Sequence, residues 1–498
     1  MKKKVSLLLL AALLLSCVSF AYADEKPALK VLAFNAAFDA NEDVNAKAVE
    51  DVTGYHVEYS MLPAENADQK LNVELASGSS YDIVKLTANQ YYQLVGRGAL
   101  LPLDDLLEEY GQDLKTTISE RSWKASSYDG KIYAVPMRKE YTKDIGNFII
   151  YRQDILDELG LETPTTLEAF YDMLVKVKAA HPEMITLTGP QSEVGTGSNS
   201  WILPPTICSA FGIYNEWQDF DGELVPMIKS PRMKDMLTFM NKLYNEGLMD
   251  ADWAVNTGTL VQEKFTSGNA FAAVTERNIA MLMIPTIQAN IPEAKIGYIL
   301  PLKGENGEYG NGTNDQILYY SCIPKTSKNA ADAIKFMNEK AKWDNFLFLT
   351  LGTEGETFTK EENQANDSGY DWLPIMPIFG ELRNNSYWYL NSIDEKNYGD
   401  MWLARVRKSP SMWEPFEKVS LAAVDAAKPN PIGYMPPSEA VSKYNQKLWQ
   451  MSSDFYAQVM SGAAAIDTYD SFLERWDKEG GAEMTEAINA WYKEFNAK

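Results

Sequence analysis

"LKVLAFNA" (Leu29–Ala36), "EDVNAKAVEDVTGYHVEYSML" (Glu42–Leu62) and "NADQKLNVELASGSSYDIVKL" (Asn66–Leu86) follow one another near the start of the chain. The first is apolar and β-branched, which predicts a buried strand. The second opens as a helix, stops at Thr53-Gly54, and becomes an alternating strand from His56 to Met61. The third repeats that order: a helix carrying Leu71, Val73 and Leu75 ends at Gly78, and an apolar strand runs from Tyr81 to Leu86. Strand, helix, strand, helix, strand predicts a parallel α/β layer.

Further along, "DGKIYAVPMRKEY" (Asp129–Tyr141) reads as a turn and a short strand that stops at Pro136. Proline suits a strand end because it has no N–H for the ladder. Arg138, Lys139, Glu140 and Tyr141 follow at once. Asn147–Tyr151 is the next strand, with a helix ending at Gly160 and another opening at Thr165 or Thr166, where Glu168 is placed for a capping box. A Gly/Ser/Thr-rich loop spans Gly189–Ser200, and a short apolar strand from Phe271 to Val274 leads to Glu276, Arg277 and Asn278. The last third reads as helical and is rich in Trp and Tyr. The local order gives two α/β units and a helical C-terminal portion, without showing where the chain crosses between them.

A chain of 498 residues exceeds one hydrophobic core, so two or more domains are expected. The formal charge is −23, and no basic run follows Lys2, Lys3 and Lys4. Nucleic acid is therefore excluded as a partner, and anionic membrane surfaces are disfavoured. Two histidines leave little material for paired-histidine catalysis or zinc. Residues 1–23 read as a signal peptide: the three lysines, an apolar stretch from Val5 to Leu15, and Ala21-Tyr22-Ala23 before the cut. A rival reading takes Leu14-Leu15-Ser16-Cys17 as a lipobox, with Cys17 lipidated. Cys208 and Cys322 are too few for a disulfide framework and are expected to be buried. "DFDGE" (Asp219–Glu223) lacks the calcium-loop spacing, and "GENGEYGNGTND" (Gly304–Asp315) reads as a hairpin loop. No phosphate-loop, zinc-protease or nucleophile-elbow motif occurs, so neither metal nor cofactor is expected.

Several motifs in order resemble one family. They are "LNVELASGSSYDIV" (Leu71–Val84), "GALLPLDDLLEEYG" (Gly98–Gly111), "DGKIYAVP" (Asp129–Pro136), "IIYRQDILDELGLETPTTLEAFYDML" (Ile149–Leu174), "FTSGNAFAAV" (Phe265–Val274), "IPKTSKNAADAIKFMN" (Ile323–Asn338) and "LGTEGETFT" (Leu351–Thr359). The chain resembles an extracellular solute-binding protein of a carbohydrate ABC importer, family 1, with the maltose-binding architecture, in its long oligosaccharide-binding subgroup. That resemblance implies a type II periplasmic-binding-protein-like α/β fold: two hinged lobes, two or three crossing segments, and an extended helical C-terminal portion. It places 24–140 plus about 298–350 in lobe one, and about 141–297 plus 351–498 in lobe two. It also implies a monomer outside the cytoplasmic membrane, an oligosaccharide ligand, and ABC permease transmembrane subunits as partners.

A sugar shows hydroxyls at its edge and C–H groups on its face, so its site needs planar hydrogen-bonders beside aromatic rings. In α/β folds ligands meet the carboxyl ends of strands. The candidates at strand exits are Asn89, Arg138, Glu140, Tyr141, Asn199, Trp201, Glu276 and Arg277, with Trp388 and Trp402 from the aromatic last third. Each has a plainer alternative: a helix cap for Asn89, a solvated loop for 138–141, a local ion pair for Glu276 and Arg277, and core packing for the tryptophans. Two rival functions remain open. Glu140 and Glu276 could form the acid and base of a secreted carbohydrate-active hydrolase, or Arg138 and Arg277 could hold the carboxylate of a peptide or charged metabolite.

Overall fold

The computed structural model describes residues 26–497 apart from 65, 140, 191–201 and 437. Nine strands build two sheets: β1 (Leu29–Ala33), β2 (Val57–Met61), β3 (Ile83–Leu86), β4 (Ala134–Arg138), β5 (Asn147–Arg152), β6 (Ile185–Thr188), β7 (Ala270–Glu276), β8 (Ile296–Ile299) and β9 (Ile317–Cys322). The first sheet runs β2-β1-β3-β9-β4 and the second β8-β5-β7-β6. β1 is parallel to β2 and β3, as the sequence predicts. β9 departs from that pattern. It lies antiparallel between β3 and β4, because the chain re-enters the first sheet at its carboxyl edge. In the second sheet β7 is parallel to β6 and antiparallel to β5.

Local chemistry sets the boundaries. Asp43 caps the helix Val44–Thr53 by accepting from the Asn45 N–H at 2.8 Å, and Gly54 ends it in the left-handed region. Thr166, not Thr165, caps Leu167–Ala180. Every residue of β3 and β5 is buried, which fits strands covered on both faces. Pro136 lies inside β4 rather than ending it; β4 is an edge strand, where a missing donor is tolerated.

Three segments join the sheets and lie side by side. The Lys139 N–H donates to Gln316 O at 2.9 Å, and Ile145 bridges Thr313. Asn311–Gly312 pairs parallel with Ala427–Lys428, and the Ile317 N–H donates to Gly433 O at 3.2 Å. A Cβ at 433 would lie 1.8 Å from Asp315 O, so only glycine allows this approach.

The C-terminal part is shared between the lobes, which corrects the expectation that 351–498 belongs to lobe two. Phe358, Trp372, Phe379, Trp388, Tyr398 and Met401 share one core with Leu29, Val31 and Val135 of the first sheet. Their apolar side chains cover the helices Ala330–Ala341 and Trp343–Leu351, which a lobe ending at 350 would leave bare. This stretch also contains an antiparallel hairpin, Phe358–Glu362 with Tyr370–Pro374, which the helical reading missed. The helix Glu439–Met460 packs into the core of the second sheet. The final helix, Ala482–Asn496, touches both lobes. Met484 and Ile488 enter the second core, and Asn489 brackets the N–H and C=O of Leu224 at 2.7 and 2.9 Å. Trp491 and Phe495 stack on each other and pack on the first core, where Lys124 Nζ donates to Glu494 O at 3.1 Å. Cys208 and Cys322 are buried and free, as expected.

Candidate ligand-binding cleft

The crossing segments leave the first sheet after Arg138 and return before Ile317, so its carboxyl edge faces the second lobe. They enter the second sheet at Asn147, beside the carboxyl end of β7 at Glu276. The residues between these edges form the candidate site.

An aromatic floor lies at the first edge. Phe34 follows β1 directly, and its ring stacks on Tyr319 of β9 with centroids 4.3 Å apart and planes 5° apart. Both rings are half-buried. Beneath them, Lys85 Nζ lies about 5 Å from each ring centroid and donates to Trp388 O at 3.1 Å and Leu390 O at 2.7 Å. Lys340, buried below Lys85, donates to Tyr389 O at 2.8 Å and to Asn391. Burial first, and then the Lys85 charge, hold the Lys340 ammonium well below its ordinary pKa. The two lysines pin the 388–391 segment under the floor.

Trp388 belongs to that support and not to a sugar-facing surface. It is 2% exposed, donates from Nε1 to Phe34 O at 3.2 Å, and sits edge-on to Phe38, Tyr59 and Tyr389. The expectation of a stacking role is corrected here: the 3₁₀ turn Ser386–Tyr389 directs the ring inward.

Across the hinge, Tyr141, Arg277 and Trp402 are brought together. Tyr141 and Trp402 stack at 6.3 Å and 14°, and the Arg277 guanidinium lies 5.3 Å from Trp402 and 5.4 Å from Phe416. Arg277 is buried and ion-paired with Asp144, whose other oxygen accepts from Ser420 Oγ at 2.8 Å. Arg277 is thus ion-paired, but with Asp144 of the crossing segment and not with its neighbour Glu276 as the plainer reading has it; its Nε is buried without an acceptor among the described residues. Tyr141 is 9% exposed, and burial pushes its phenol up to about 12. Trp402 is half-buried and keeps part of its surface open. Glu276 precedes the helix Arg277–Asn290 and accepts from Asn278 Nδ2 at 3.2 Å; burial raises its pKa.

Asn89 is exposed on the helix Ala88–Gly96, and Thr87 takes the capping role with Gln90. Arg138 ends β4 at the cleft edge. Its Nη2 donates to Glu395 O at 2.9 Å, and its Nη1 lies 3.7 Å from the Glu395 carboxylate. That carboxylate is 7% exposed and both of its oxygens are buried; among the described residues neither accepts a hydrogen bond, and Arg138 Nε is likewise buried without an acceptor. A buried carboxylate without donors is costly, which makes this pair a candidate for contact with polar ligand groups. Sequence reasoning missed Glu395, Phe34 and Tyr319. Glu395 looks like one more surface acid in "SIDEKN", but Phe34 could have been found as the residue leaving the first strand. Glu140, Asn199, Trp201, Cys17 and the signal peptide lie outside the described residues. Among the described residues no three His, Cys, Asp or Glu side chains gather to hold a metal ion, and no helix is long and apolar enough to cross a membrane.

Residues 45–347 match the family model described as bacterial extracellular solute-binding protein. The chain is 22% identical over 474 residues to the polygalacturonan/rhamnogalacturonan-binding protein YtcQ of Bacillus subtilis, covering 91% of this chain and 89% of that one. It is 24% identical over 528 residues to lipoprotein LipO of Bacillus subtilis, covering 99% of each. Among solved structures, an HMO-binding ABC-transporter-associated solute-binding protein from Bifidobacterium longum infantis superposes with a TM-score of 0.70 at 17% identity, over 95% of this chain and all of that one. With the two-sheet hinged fold and the matched span together, the chain belongs to the bacterial extracellular solute-binding protein family.

Proposed function

We propose that this protein captures an oligosaccharide between its two lobes, closes on it by hinge motion, and delivers it to the permease of an ABC importer without altering it. The observation that carries this reading is the half-buried Phe34–Tyr319 pair on the inter-lobe edge, with the undonated Glu395 carboxylate and Arg138 on the same edge. Aromatic faces meet sugar C–H groups, and a carboxylate accepts from paired hydroxyls. Asn89, Trp402 and Glu276 are the remaining described candidates that keep exposed surface. The named ligands of YtcQ and of the Bifidobacterium protein support the substrate class. Closure draws on contacts that the ligand makes only with the closed form. The protein acts as a monomer outside the cytoplasmic membrane. Its anchor, if Cys17 is lipidated as the name of LipO suggests for that relative, is read from the mass of the mature N-terminus.

Calorimetry with mono- to oligosaccharides of rising length tests the reading. Affinity is expected to rise with length. A panel that fails to bind, or that emerges shortened, overturns it.

A further inference from the structure

The final helix, Ala482–Asn496, is held at one end by the second lobe and at the other by the first. Its root is tight. Met484, Ile488 and Asn489 are each at most 6% exposed. Asn489 holds both backbone groups of Leu224, and the Tyr492 hydroxyl donates to Asp219 Oδ2 at 2.6 Å. The turn that leads in is close-packed as well. Gly480 has φ +121°, and a Cβ there would lie 2.2 Å from the Tyr444 ring; one at Gly481 would lie 2.0 Å from Trp476. The direction in which the helix leaves the second lobe is thereby fixed. The tip is built differently. Trp491 and Phe495 are half-buried, and Arg121 and Lys124 beside them are exposed. Lys124 Nζ donates to the carbonyls of Glu494 and Phe495 and lies 5.1 Å from the Phe495 ring centre. A cation suits the C-terminal carbonyls of a helix, but exposed charge contacts are weak. The Phe495 ring also lies 6.3 Å from that of Tyr434, whose hydroxyl donates to Asp315 Oδ1 at 2.7 Å. Arg121 pairs with Asp315 at 3.5 Å and covers the Tyr434 ring at 4.0 Å. Asp315 and Tyr434 flank the contact between Ile317 and Gly433, so the tip rests against two of the segments that join the lobes.

We infer that this helix is a strap across the hinge: its root travels with the second lobe, and its tip is a releasable latch on the first that favours the present arrangement of the lobes over others. A helix of 15 residues is a rod about 22 Å long and does not stretch. Rotation of the lobes about the crossing segments therefore has to slide or free one of its ends. The half-buried tip, held by exposed cations, yields before the buried root. This role depends on the lobe movement of the proposed function and not on which ligand the lobes hold.

The test measures distances between spin labels by double electron–electron resonance on the full chain without ligand, in a Cys17→Ser background. Labels at Lys328→Cys in the first lobe and Lys176→Cys in the second report on the lobes. Labels at Lys176→Cys and Gln288→Cys form a control pair within the second lobe. All three positions are exposed, and Cys208 and Cys322 are buried. Each pair is placed in the parent, in Trp491→Ala/Phe495→Ala, and in Lys124→Met, an exposed change that leaves the apolar contacts of the helix in place. Both variants are expected to broaden or shift the inter-lobe distribution, the double variant more, while the control pair stays as in the parent. An inter-lobe distribution unchanged in both variants overturns the inference. So does a control pair that broadens alongside, which would assign the change to loosening of the second lobe itself. Neither result touches sugar capture, which calorimetry decides.

Discussion

Arg277 is paired with Asp144: the one opens a helix of the second lobe, and the other lies on the segment that carries the chain between the lobes. Both are buried, and Ser420 fixes the free oxygen of the carboxylate. Removing one partner leaves the other charge buried and unpaired. Asp144→Asn or Arg277→Ala is therefore expected to destabilise by about 3–5 kcal/mol. Urea unfolding measures this. A ligand-holding arginine would instead lower affinity and leave stability near that of the parent.

Tyr319 and Trp388 give opposite expectations although both are aromatic and close to Phe34. Tyr319→Ala removes half of the exposed floor and is expected to cost about tenfold in oligosaccharide affinity, with a small change in stability. Trp388→Ala empties a core site and is expected to cost about 3–5 kcal/mol of stability. Paired calorimetry and thermal melts on the two variants distinguish the roles, and a swap of the two outcomes would reverse the assignment.

Among the described residues nothing hydrogen-bonds the Glu395 carboxylate. Glu395→Gln removes its charge at constant shape. The free protein is then expected to melt at the same or a higher temperature, while oligosaccharide affinity falls about tenfold. Unchanged affinity with a lower melting temperature would make Glu395 a structural partner of Arg138 and nothing more.

Glu276 gives a pH signature. Burial raises its folded pKa above the unfolded value, so its favourable contribution is complete below the unfolded pKa and is lost as pH rises through the folded one. Glu276→Gln is thus expected to be more stable than the parent at neutral pH and to converge with it in acid. Melting curves across that range follow the difference. A gap that widened in acid would contradict the burial account.

The first three strands and their helices were legible because each signal was local: an apolar run, a cap, a glycine stop. The antiparallel entry of β9 was not, because strand direction in a sheet depends on where a distant segment returns. The same limit explains the misplacement of 358–404. Phe358, Trp372 and Phe379 are apolar in any register, and only the surface they cover decides the lobe. At the site, sequence put Arg138 and Glu276 at strand exits, and the structure ends β4 and β7 at these residues. Sequence also assigned Trp388 and Arg277 roles that burial removes, because residue type does not show which way a side chain turns. Glu395 was invisible for the converse reason. An acid in a polar stretch gives no sign that its neighbours will seal it from water.

The last helix is rooted beside Leu224 in one half and ends beside Lys124 in the other. Under the proposed hinge closure, a bulky group attached at Asn496 would therefore sit at the seam between the lobes and act as a wedge. A small environment-sensitive dye at that spot would instead serve as a gauge, converting each gripping event into light.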